Sequence, residues 1–466
     1  MHSRAADADS RLSFWRRVRE FAVPPSMIET ATARRRVGDW AGACAAARVD
    51  IDPSLRAVAR THGRELATRV RADLRELATR VRADLRELAP DLLRWHLPRI
   101  APDGLLRPGL TIALARYEEA GRDDGAAVQL VARTPPAWAD AGQRFSLALW
   151  DGHRDGRHPH PHPDRRFRLD LHRHLWDARR ADELRTRSGA DGLPADRRTT
   201  VDRARPPAAL PGLDPAVDRW AAEAAILLRA EGRTGGAVAV RLGGRRRLVL
   251  ELAPDGGVLR SPAWRGAEEL LVLPDAATWV LPDLALLRAG LIEVDRLHPL
   301  VASALAPERR AAGVPRVPQR AGQPRLVRCR GVEHRIGLVD GVLVALDHDP
   351  AEIRREELLA ALTGTPLACL RAIDEAHRHP ECLDDVRARL DHGDTAGALA
   401  AVEALLGPDA LLRAGALRDE LETAASRRVA YGLFRAGLAG SGPGPEHADR
   451  RRTRDRRSRP RHGTTR

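Results

Sequence analysis

Three groups of residues have the types and spacing that chemistry requires. Residues 157–164 read RHPHPHPD, setting His158, His160 and His162 at alternate positions, with His172 and His174 to follow. Imidazoles beside a carboxylate suit zinc or another divalent ion. Strand alternation over 166–172 would turn Phe167, Leu169 and Leu171 to a core and place Asp170, His172 and His174 on the opposite face. The likeness to the HxHxD of metallo-hydrolases is superficial. Prolines fill both intervening positions, and Arg165 stands where a further histidine would follow. Alternating His-Pro favours an extended, solvated loop. His158, His160, His162, Asp170, His172 and His174 are therefore candidate ligands weighed against an ordinary surface loop. No cofactor is expected, and zinc is the candidate ion should these residues bind one.

The second group surrounds Asp340-Gly341, a dipeptide that favours a type I′ hairpin turn between apolar runs. Two-residue closure pairs Val339 with Val342, Leu338 with Leu343, Ile336 with Ala345, and His334 with Asp347. A histidine facing an aspartate is the base and orienter of transglutaminase-like cysteine enzymes. Two cysteines could supply the nucleophile. Cys369 lies in the first turn of a helix opened by Thr365 and Pro366, where a thiolate is favoured. It follows the His–Asp pair, however, whereas that superfamily places its cysteine first. Cys329 precedes the pair but falls in a strand. The candidate catalytic residues are thus His334, Asp347, Cys369 and Cys329, against a structural ion pair beside a core cysteine.

The third group, Asp374-Glu375-Ala376-His377, spells the DEAH of helicases. That motif needs a buried apolar strand before it and a lysine-bearing phosphate loop upstream. Here Arg371 interrupts the run, Cys369, Ala372, Ile373 and Ala376 mark a helix face, and no lysine exists. The match is a coincidence of letters.

The lack of lysine has wider consequences. All 78 basic residues are arginine, and asparagine is missing too. Walker A loops, the kinase strand lysine, Schiff bases and pyridoxal phosphate attachment are all excluded. Both missing residues have AT-rich codons, so the arginine content reflects GC-rich coding as much as any partner. The formal charge of +14 is concentrated at the ends. Residues 441–466 hold nine arginines against three acids, and residues 1–37 hold eight against four. The near-neutral middle is not the basic stripe of a nucleic-acid domain. The tail would attract nucleic acid only non-specifically. Four scattered cysteines form no CxxC pair. No apolar segment follows Arg16, Arg17 and Arg19, and the most apolar stretch, 270–287, is cut by Asp275, Asp283 and two prolines. The expected compartment is the cytoplasm, with reduced thiols.

These residues need elements to position them, and 466 residues leave room for several domains. The expected fold class is multidomain α+β: an N-terminal helical pair with one long helix, antiparallel sheet segments, and a C-terminal β-hairpin followed by helices. Residues 1–26 read as a disordered leader, with Met27 a possible start. Residues 27–187 read as the helical pair plus antiparallel sheet, 188–215 as a linker, and 216–305 as a middle α+β segment. A second linker spans 306–324, a hairpin-plus-helix domain 325–437, and a disordered arginine-rich tail 438–466. The pair begins with a helix over 33–48. The long helix, 53–89, contains the unit RELATRVRADL twice, at 64–74 and 75–85. Leu66, Val70, Leu74, Leu77, Val81, Leu85 and Leu88 recur about every 3.67 residues, so the duplication lengthens the helix without rotating its apolar seam. That seam packs within the chain or projects towards another molecule. Strands are expected over 110–116, 127–133 and 145–150. The string GDxxGA occurs at Gly38 and again at Gly393, as at the opening of helices in tetratricopeptide-like arrays.

Residues 36–43 (RVGDWAGA), 169–177 (LDLHRHLWD) and 337–343 (GLVDGVL) resemble an uncharacterised protein family of high-GC actinobacteria over roughly 27–437. The family has no assigned activity to carry over. The resemblance implies a MoxR-type ATPase system as a partner. On the residues alone, the leading expectation is a non-enzymatic cytoplasmic adaptor or scaffold that binds protein partners through helical surfaces. The alternatives are a hydrolase using the histidine loop or the Cys/His/Asp constellation, and a nucleic-acid accessory protein acting through its tail.

Overall fold

Residues 1–26, expected as a disordered leader, contain helix α1 (His2–Phe21), and the computed structural model supplies the reason. Val18 is fully buried. Arg19 donates from Nε and Nη2 to the two Asp283 carboxylate oxygens at 2.8 and 2.7 Å, and from Nη1 to the Trp95 carbonyl at 2.7 Å. Trp95 Nε1 donates to the same Asp283 at 3.0 Å. A bidentate carboxylate is what lets an arginine leave water, so α1 belongs to the core. The described residues are 2–52, 55, 68–117, 128–150, 162–191, 214–243, 246–253, 258–262, 270–307, 325–340, 342–364, 366–380, 382–408 and 410–438.

Two helices, α2 (Pro25–Arg36) and α3 (Trp40–Ala46), replace the single one expected over 33–48. Gly38, at φ +77°, makes the break, and Asp39 caps α3 by accepting from Gly42 N at 2.8 Å. Strand β1 (Val49–Ile51) leads towards α4 (Thr68–Glu87), which carries the second copy of the repeat. Leu77, Val81, Leu85 and Leu88 are buried in the main core, so in this copy the seam packs within the chain. Leu66, Val70 and Leu74 lie outside the residues whose side chains are described. Pro90 opens α5 (Pro90–His96), and a short pair follows, β2 (Arg99–Ile100) with β3 (Leu105–Leu106).

The expected strands form as β4 (Thr111–Tyr117), β5 (Val128–Arg133) and β6 (Phe145–Trp150). They pair antiparallel, with β1 joined parallel to β6, in the order β1-β6-β5-β4. Residues 166–172 are not a strand. Leu169–Leu171 and Arg173–Leu175 are consecutive 3-10 turns, followed by a short α6 (Leu184–Ser188). Phe167, Leu169, Leu175 and Trp176 all reach the core, a spacing that two tight turns satisfy and alternation does not. Trp176 Nε1 ties the turns together by donating to the Leu169 carbonyl at 2.9 Å.

Helix α7 (Trp220–Ala230) covers a second sheet of β7 (Gly236–Arg241), β8 (Arg247–Leu252), β9 (Val258–Pro262) and β10 (Leu271–Val272), ordered β10-β7-β8-β9. Trp220, Leu227, Val238, Leu250 and Leu273 are among its core residues. Helices α8 (Asp275–Thr278), α9 (Pro282–Arg288) and α10 (Pro299–Leu305) complete this part. The expected linkers and the expected tail fall almost wholly outside the described residues.

The chain divides into two compact units, Met1–Thr134 with Arg144–Val317, and Pro135–Gln143 with Pro318–Arg466. The second unit opens with an antiparallel sheet of β11 (Arg325–Cys329), β12 (Val332–Val339) and β13 (Val342–Ala345). Its hairpin has the expected register, with Val339 opposite Val342, Leu338 opposite Leu343 and Ile336 opposite Ala345. Helices α11 (Pro350–Thr363), α12 (Ala368–Arg378), α13 (Leu383–Asp391), α14 (Thr395–Leu406) and α15 (Ala416–Arg435) follow. Trp138 belongs to this unit and meets the Phe434 ring edge-on, centroids 5.5 Å apart.

The GDxxGA string folds alike in both places. Gly393 takes φ +80°, and Asp394 accepts from Gly397 N at 3.1 Å. Arg389 reaches Asp394 at 3.3 Å, the distance from Arg34 to Asp39. The architecture is α+β, and among the described residues no helix is long and apolar enough to cross a membrane.

Candidate metal centre

Among the described residues, one group of Cys, His, Asp or Glu side chains is close enough to share an ion: Cys329, His348 and Cys369. Three separate segments deliver them. Cys329 ends β11, just before the tight turn at Arg330 and Gly331, both with positive φ. His348 lies between the end of β13 and α11, whose start is fixed by Asp349 accepting from Ala351 N at 3.0 Å. Cys369 sits in the first turn of α12. Both cysteines belong to a small buried cluster with Ala345, packed by Val327, Ile353 and Leu367.

The donor atoms of the three side chains all lie within 4.8 Å of one another. Each cysteine is 1% exposed. Burial pushes the Cys369 thiol up, and the neighbouring Cys329, hydrogen-bonded to it, pushes it further. This corrects the expectation that the helix N-terminus would favour a thiolate there. The His348 side chain is 6% exposed, its Nε2 is buried without a hydrogen-bond partner, and its Nδ1 faces Glu352 Oε2 at 3.8 Å. A carboxylate behind the outer nitrogen is the usual support of a metal-bound imidazole. Arg330 holds Glu352 from the other side at 3.1 Å. Two thiols and one imidazole are soft-to-borderline donors that match zinc, and zinc binding would deprotonate the thiols.

His334 and Asp347 do not form the expected dyad. His334 Nδ1 meets the backbone carbonyl of Asp347 at 3.2 Å, while the Asp347 carboxylate is taken by Arg335 Nε and Nη2, both at 3.0 Å. The Arg335 guanidinium holds that carboxyl below its ordinary range. A planar fork with two parallel bonds outcompetes a single imidazole nitrogen. The His334 ring instead stacks on His348, centroids 3.9 Å apart and planes 18° from parallel.

The histidine stretch does not assemble either. His158 and His160 lie outside the described residues. His162 is exposed, its ring edge-on to Trp150 at 6.1 Å. Asp170 is bound by Arg168 at 2.7–3.1 Å. His172 is buried between the Arg168 carbonyl, at 2.9 Å, and Glu223, at 3.3 Å. Burial alone would raise the Glu223 carboxyl, but its contacts with His172 and Arg187 prevail and bring it down to about 2. His174 is buried, and burial drives its pKa well below the ordinary value. A cavity of about 400 Å³ borders the same region, lined by Arg116, Arg168 and Arg173 among others, all three committed to carboxylates.

Reading the residues missed His348 and Glu352. The signal was present in Leu346-Asp347-His348-Asp349-Pro350, where a histidine falls between a strand end and a capped helix. No family model matches this chain, and neither a curated protein nor a solved structure matches it.

Proposed function

We propose that the second unit is a zinc-holding module in which Cys329, His348 and Cys369 ligate one ion. The observation that carries this is the convergence of two buried thiols on an imidazole whose Nε2 has no other partner and whose Nδ1 faces Glu352. The ion would staple β11 and the residues after β13 to the start of α12, doing for a small core what its few apolar residues do weakly. The chain as a whole acts as a non-enzymatic adaptor. The recurrence of the Asp-capped helical hairpin, at α2–α3 and α13–α14, supports that wider role.

The test is metal analysis of the full chain without a histidine tag, in a background with His158, His160 and His162 changed to alanine to remove loop binding. One zinc per chain is expected, lost in Cys329→Ser, Cys369→Ser and His348→Ala. A chain without stoichiometric zinc after growth in zinc-replete medium overturns the reading.

A further inference from the structure

We infer that Cys329 and Cys369 form a redox release site: a peroxide converts the pair to a disulfide, expels the zinc ion and frees His348. This deepens the proposed zinc module and rests on Cys329, His348 and Cys369 being its ligands. One cysteine ends β11 and the other lies in the first turn of α12, yet their thiols are hydrogen-bonded to each other. A disulfide bond is about 2.0 Å long, so sulfurs already in contact have only a short gap to close. The product fills the space that the two sulfurs occupy now. Both cysteines are 1% exposed, and the oxidant reaches them through local opening of α11. That helix packs Ile353 on the cysteine cluster and has no fully buried side chain. Arg330 ties it down from the surface through Glu352 and Glu356. A helix held by partly exposed ion pairs and so little buried surface opens at small cost.

Both sulfurs are thiolates when zinc is bound, and the thiolate is the form that a peroxide oxidises. One thiolate attacks the peroxide: an S–O bond forms, the O–O bond breaks and hydroxide leaves. The second thiolate attacks that sulfur, forming the S–S bond and breaking the S–O bond, and a second hydroxide leaves. Two electrons pass from the sulfurs to the peroxide, and two protons from solvent turn the hydroxides into water. His348 is then the remaining ligand of the three, and one imidazole does not retain the ion. The disulfide still joins β11 to α12 but leaves out His348, so the turn into α11 is released while the other two segments stay tied.

Hydrogen peroxide added to the zinc-loaded full chain tests this, in the background with His158, His160 and His162 changed to alanine. Zinc release, followed with a chromophoric chelator against a peroxide-free control, should match the formation of one disulfide per chain. Non-reducing peptide mapping should find Cys329 linked to Cys369. Hydrogen exchange over 350–363 should quicken on oxidation, and dithiothreitol with zinc should reverse both changes. Cys382→Ser, which removes the cysteine that is not fully buried, should release zinc as the parent does. Three outcomes overturn the release site while leaving the zinc module intact: zinc retained in excess peroxide, zinc lost with the cysteines carried to sulfinic acid in place of a link, or exchange in α11 unchanged by the disulfide. A chain that holds no zinc before peroxide is added removes the ligand set, and both readings with it.

Discussion

His334 and His348 stack with ring centroids 3.9 Å apart, although the hairpin register would set His334 against Asp347. The strand pairing ends at Ala345, and Leu346 N donates to the Arg335 carbonyl before the chain turns into α11. That turn carries His348 onto the ring of His334 and brings the imidazole beside the two thiols.

Zinc should stabilise the second unit specifically. At free zinc about 1,000-fold above the dissociation constant, its unfolding free energy should rise by about 4 kcal/mol. Calorimetry of the full chain, with and without a chelator, should move one transition. The shift should vanish in Cys369→Ser.

Thiol labelling should follow exposure. Burial pushes the Cys44 thiol up to about 12, with the Asp91 and Asp39 charges adding, and burial raises Cys369 too. Cys382, the one cysteine that is not fully buried, should be alkylated first at neutral pH. Mass mapping that finds Cys44 modified before Cys382 would contradict the packing of α3.

Removing the partner of Arg19 should be severe. Both side chains of the Arg19–Asp283 pair are nearly inaccessible. Asp283→Ala leaves a buried guanidinium uncompensated and should cost about 3–5 kcal/mol in urea unfolding. A loss near zero would return α1 to the status of a leader.

Acid should weaken the first unit through its buried histidines. Burial lowers His96 from 6.5 to about 3 and lowers His174 as well. Below pH 6.5 the unfolded chain binds protons that the folded chain refuses, so stability falls between pH 6.5 and about 3. At pH 5 the loss should approach 2 kcal/mol for His96. A His96→Gln variant should show a shallower fall in urea midpoint from pH 7 to pH 5 than the parent.

Glycines in the two capped turns should not tolerate a methyl group. A Cβ on Gly42 or Gly397 would lie 2.1 Å from the capping carboxylate of Asp39 or Asp394. Gly42→Ala and Gly397→Ala should each cost about 1–2 kcal/mol, the worth of the cap. Gly432→Ala, with open space inside α15, should instead gain about 0.5–1 kcal/mol. Urea titration of the three variants distinguishes the two classes.

What the residues determined by themselves was local. The hairpin around Asp340, the strands β4 to β6, the apolar seam of the second RELATRVRADL copy and the paired GDxxGA caps follow from turn chemistry and from periods of two and about 3.67. Each needs only neighbours within one or two elements. Tertiary structure decided the rest. Asp283 draws α1 into the core from the far end of the unit, and Arg335 claims the carboxylate that spacing had offered to His334. Cys329, His348 and Cys369 share no period, because a strand end, a turn and a helix start supply them. Packing of the sheet against α12, not spacing along the chain, sets the distances among them.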